Sequence, residues 1–121
     1  MAQPDLERSQ RVIALNKRGV LRVGLHDHGA ARGDFEAALA LDPAYAPAHA
    51  NLGNLLYEEA RYEEAILRYE AAIRADDAYA TAYVNVAAAY KRLGRHAQAV
   101  GALRKAARLE GRLPLKPSKS R

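Results

Sequence analysis

Residues 46–79 read APAHANLGNLLYEEARYEEAILRYEAAIRADDAY, and residues 80–111 read ATAYVNVAAAYKRLGRHAQAVGALRKAARLEG. Set one above the other at an offset of 34, Asn51 falls on Asn85, Ala65 on Ala99 and Ala72 on Ala106. The same interval backward reaches a weaker third copy. Small residues align at Gly19, Gly53 and Ala87, at Ala31, Ala65 and Ala99, and at Ala38, Ala72 and Ala106, while Phe35, Tyr69 and Leu103 form a large apolar register. A fixed period of this length marks a repeat architecture whose units bury their apolar faces only against one another.

Each copy reads as two helices. In the middle copy His49, Leu52, Gly53, Leu56 and Tyr57 recur at helical spacing, Glu59-Ala60-Arg61 breaks the pattern, and Tyr62, Ala65, Ile66, Tyr69, Ala72 and Ile73 form a second stripe. The small registers predict close axes, with Gly53 facing Ala65 and Ala72. Asp42-Pro43 ends one helix and Pro47 opens the next, since proline lacks a backbone donor. Gly94 and Gly29 are expected to mark turns inside the third and first pairs. The fold class is all-α: an α-solenoid of three helix-turn-helix repeats, about six antiparallel helices. Residues 1–11 extend the first helix, 12–111 form the repeat domain (about 12–45, 46–79 and 80–111), and 112–121 form a basic, disordered tail.

Composition agrees. The chain has 121 residues, enough for one domain, and 27 alanines, which favour helix. It has no cysteine, hence no disulfide framework and no thiolate nucleophile or metal ligand. The formal charge of +5 conceals +3 over residues 1–33, −7 over 34–77 and +9 over 78–121. Such asymmetry either steers a charged partner or another copy of the chain, or is solubilising charge on outward faces. No signal-peptide core or membrane-length apolar run is present, and the expectation is a cytoplasmic protein with no membrane partner.

The chain resembles the tetratricopeptide repeat family. The likeness rests on Asn51-Leu52-Gly53-Asn54-Leu55-Leu56-Tyr57, Tyr62-Glu63-Glu64-Ala65-Ile66 and Tyr69-Glu70-Ala71-Ala72-Ile73, extended by Tyr83 to Tyr90 with Leu93-Gly94-Arg95 and by Phe35 to Pro43. It implies stacked helical hairpins with a concave face lined by the first helix of each pair. The early first-helix aromatic of that family is Leu15, His49 and Tyr83 here. Arg18 and Arg22 replace the apolar Leu52 and Leu56 of the second copy, as suits an exposed N-terminal cap. The other end looks less finished. Val100, Leu103 and Leu109 would be covered by Leu113 and Leu115 or by a second protomer.

The family's inner face commonly presents asparagines to a peptide backbone, which implicates Asn51 and Asn85; either could instead bond a neighbouring helix. Helical spacing adds Asn16, Lys17, Asn54, Tyr57, Thr81, Val84, Lys91 and Arg92 to that face, and the last two cations suit an acidic peptide. Some members clamp a terminal carboxylate, but only Asn51 fits that set, because Asn16, Val20, Thr81 and Asn85 occupy the other places. His26-Asp27-His28 resembles a metal cluster, yet it falls in a turn where Asp27 can cap the next helix. Glu58, Glu59, Glu63 and Glu64 read as a solvated face rather than an acid–base pair. No strand precedes Gly29 to Gly33, so no phosphate loop is indicated.

The expected function is a non-enzymatic protein-interaction module, without cofactor, metal or small-molecule substrate, that binds a peptide or protein in its groove. The alternative is a self-associating scaffold, a homodimer or head-to-tail stack. A third is weak nucleic-acid binding through Lys116, Lys119 and Arg121, although no aromatics interleave them.

Overall fold

The computed structural model describes residues 4–111, which form six helices: α1 Pro4–Gly24, α2 His28–Leu41, α3 Ala46–Glu58, α4 Tyr62–Ala75, α5 Ala80–Arg92 and α6 His96–Leu109. They pair as α1 with α2, α3 with α4 and α5 with α6. Each pair packs on the next, and α3 also touches both α1 and α5. Among the described residues there is no strand.

The turns inside the pairs are built alike. His26, Ala60 and Gly94 adopt positive φ of 62°, 61° and 75°. The N–H of the following residue then reaches back to a helix carbonyl: Asp27 to Arg22, Arg61 to Leu56 and Arg95 to Tyr90, each 2.9 Å. This left-handed closure satisfies carbonyls at a helix end. Gly29, expected at the first turn, instead lies within α2. The repeat phase places the turn residue at His26, which must adopt the left-handed backbone without glycine's freedom. Asp27 caps α2 by accepting from Ala30 N–H at 3.3 Å. Between pairs, Asp42 and Asp76 accept from the N–H groups of Ala44 and Ala78 at 3.1 and 3.0 Å, side-chain turns that end α2 and α4.

The core is built from registers. Ala31, Ala38, Ala65 and Ala72 have no exposed surface, and Phe35, Leu55 and Tyr69 are the largest fully buried side chains. Gly53 lies beneath the ring of Tyr69, where an added Cβ would stand 2.6 Å from Cε1 and 2.7 Å from Cδ1. Gly19 lies beneath Phe35 in the same way. The third copy changes both partners, with Ala87 and Leu103 at the equivalent positions.

The two ends differ. Arg18 is exposed, as expected of a cap, but it and Arg22 also grip Asp34, whose residue is only 3% exposed. Arg18 Nε and Nη2 donate to its two oxygens at 3.0 and 2.8 Å, and Arg22 Nη1 donates to both at 3.0 Å. At the other end Val100 and Leu103 are 47% and 43% exposed, whereas Ile66 and Tyr69, their counterparts in α4, are 5% and 1%. Leu109 is half-buried. Leu113, Leu115 and the tail 112–121 lie outside the described residues.

Candidate binding face

The first helices of the three pairs, α1, α3 and α5, share one side of the stack, and asparagines join them. Asn51 Nδ2 donates to Asn16 Oδ1 at 2.9 Å, linking α3 to α1. Asn85 Nδ2 donates to Asn54 Oδ1 at 3.1 Å, linking α5 to α3. That oxygen also accepts from the Tyr69 hydroxyl at 2.6 Å. Two donors on one oxygen set the orientation of the Asn54 amide. Burial pushes the pKa of the Tyr69 phenol up, so it stays protonated and a donor at neutral pH. Sequence spacing placed the asparagines on this face; it did not reveal Tyr69 as their anchor, since its register marked it only as core.

Asn51 and Asn54 also line a hollow of about 320 Å³ with Val20, Val23, Phe35, Leu55, Tyr57 and Glu58. Tyr57 and Tyr62 meet edge to face at 5.1 Å, and the Arg92 guanidinium lies 5.8 and 5.7 Å from their ring centroids. Arg92 Nε donates to the Tyr57 hydroxyl at 3.1 Å, which raises the arginine's own ionisation. Ring faces attract cations, so the guanidinium is held against α3 and α4 rather than free to sweep. Of the other residues expected here, Asn16 is buried at 9% exposure, Val84 is 39% exposed, and Lys17, Thr81 and Lys91 are exposed. The structure thus joins Asn16 with Asn51, Asn54 with Asn85, and Tyr57 with Arg92. Val23 and Tyr62 were missed because apolar spacing alone does not separate a groove wall from core.

The remaining candidates resolve into structural pairs. His49 Nε2 lies 2.8 Å from the Pro43 carbonyl, and Tyr83 OH donates to the Asp77 carbonyl at 3.0 Å. The two therefore hold equivalent turns from equivalent positions. Glu59 and Glu64 pair with Arg61, Glu59 also with Arg32, Glu63 with Arg95, and Glu58 with His28. Hydrogen bonds from Arg61 hold Glu64 below the usual carboxylate range, the opposite direction from a general acid working near neutral pH. Among the described residues no three of His, Asp and Glu gather as a metal site, and no helix is long and apolar enough to cross a membrane.

No curated protein matches the chain significantly. Among solved structures, the second TPR of Spaghetti (RPAP3) bound to HSP90 peptide SRMEEVD is 24% identical with a TM-score of 0.78, covering 85% of this chain and 95% of that one. MamA is 27% identical with a TM-score of 0.75, over 83% of this chain and 58% of MamA. The N-terminal domain of stress-induced protein-1 (STI-1) from C. elegans is 19% identical with a TM-score of 0.75, covering 88% and 89%. A family described as TPR repeat matches residues 53–94, and one described as tetratricopeptide repeat matches residues 80–112. These matches fall on the two copies that the 34-residue registers pick out most clearly, and the chain belongs to the tetratricopeptide repeat family.

Proposed function

We propose that this chain is a non-catalytic protein-interaction module whose α1–α3–α5 face binds an extended peptide or protein segment. The observation that carries this reading is the orientation of the asparagines. Asn51 and Asn85 each donate one amide N–H to a neighbouring helix, which fixes the amide and leaves Oδ1 as an acceptor for peptide N–H groups. Asn16 then positions Asn51 rather than touching ligand. The hollow beside Asn51 takes an apolar side chain of the segment, with Tyr57 as one wall. Lys17, Lys91 and Arg92 favour acidic residues, as the peptide on the Spaghetti repeat also contains.

The test uses a peptide selected against the full chain from a displayed random library. Asn51→Ala with Asn85→Ala should weaken it by about tenfold or more, since each lost bond to a peptide amide is worth about 1 kcal/mol. Unchanged affinity in a folded double variant would overturn the groove reading.

The exposed Val100 and Leu103 favour a second reading, association of copies through the open end of the stack. Its mark would be a mass that rises with concentration in light scattering and returns to monomer in Leu103→Glu. A monomer at every concentration and salt level excludes it.

A further inference from the structure

Away from the asparagine face, the second helices of adjacent pairs enclose two grooves related by the repeat. The first runs between α2 and α4 over Leu52 and Leu56, and charged side chains with Leu67 rim it. The second, a hollow of about 580 Å³, runs between α4 and α6 over Val86 and Tyr90. Its rim is cut down, because Gly101 and Ala102 stand where the first groove has Leu67 and Arg68. Tyr90 is consequently half-buried, while its counterpart Leu56 is 6% exposed.

Arg74, which both grooves share, and Lys105 line this groove, and α6 contains no acidic residue. Glu70 is turned to the Tyr90 hydroxyl, at 3.4 Å. We propose that this groove is a second docking surface, which takes an acidic amphipathic helix of a partner protein, its apolar side chains over Tyr90 and its carboxylates toward Arg74 and Lys105. A second copy of the chain suits it poorly: the outermost helices α1 and α6 carry five and three basic side chains against two and no acidic ones.

Two synthetic helical peptides provide the test, sharing one leucine stripe and differing only in carrying glutamates or lysines beside it. Titrated into the full chain and followed by amide NMR, the glutamate peptide should shift Val86, Gly101 and Ala102 and bind about tenfold more tightly than the lysine peptide. Arg74→Glu with Lys105→Glu should invert that preference. Gly101→Leu should abolish binding with the fold intact, since an added Cβ there meets no atom within 4 Å and leucine is the better helix former.

Equal binding of both peptides, shifts confined to the asparagine face, or full affinity in Gly101→Leu overturns the proposal. Self-association that Gly101→Leu disperses would assign the groove to a second copy and overturn it also. If Leu113→Ser with Leu115→Ser shifts Gly101 and Ala102 in the peptide-free chain, the chain's own tail is the occupant, and the proposal again falls.

Discussion

Replacing Gly53 with alanine isolates the packing rule on which the stack depends. In an exposed helix the change stabilises by about 1 kcal/mol through propensity alone. Gly33, within α2 and with nothing within 4 Å of an added Cβ, should show that gain. At Gly53 the same methyl would stand 2.6 to 3.0 Å from three atoms of the Tyr69 ring, which is 1% exposed and has nowhere to retreat. Overpacking of this kind costs about 1–3 kcal/mol. The two alanine variants should therefore differ by about 1–3 kcal/mol, or about 4–12 °C in Tm for a domain of this size. Thermal and urea unfolding followed by circular dichroism measure it. The third copy supplies the rescue, because Ala87 there accompanies Leu103. In a Tyr69→Leu background, Gly53→Ala should stabilise, and the lost bond to Asn54 cancels from the double-mutant cycle. Equal gains at Gly53 and Gly33, or no coupling with Tyr69→Leu, would refute the argument that the ring demands glycine.

Two further expectations rest on single residues. Ala60→Gly should raise stability by about 1 kcal/mol in urea unfolding and Gly94→Ala should lower it by a similar amount, because both positions hold a left-handed backbone; a stabilising Gly94→Ala would contradict this. Hydrogen bonds from Arg18 foremost, with the charge of both arginines, hold Asp34 below the usual carboxylate range although burial opposes them. A depressed folded-state value gives stability that is present above the ordinary pKa of about 3.9 and lost as pH falls through the folded value. Asp34→Asn should accordingly lower Tm at neutral pH, with the gap from wild type closing in acid. A gap that ignores pH would separate the residue's role from its charge.

Legibility from sequence followed the range of the interaction concerned. The helix pairs, their breaks at Asp42-Pro43 and Glu59-Ala60-Arg61, and the buried alanine registers depend on local spacing, and spacing is visible in a string. Gly29 misled because glycine is only permissive: the turn sits where the repeat phase demands it, at His26. The site was half legible. Helical phase puts Asn51 and Asn54 together at the hollow, but whether an amide faces a ligand or a neighbouring helix depends on atoms 31 and 35 residues away.

The sequence alone therefore determined the repeat, its 34-residue period and the all-α class, because helix propensity and apolar periodicity act within a few residues. Tertiary structure decided what each register contacts. Only helix packing shows that Gly53 is small for the sake of Tyr69, that Arg18 and Arg22 close the first pair around a buried carboxylate, and that Gly101 opens one groove while Leu67 rims the other. Those contacts join residues distant along the chain, and their energy depends on distance and burial, which residue order does not encode directly.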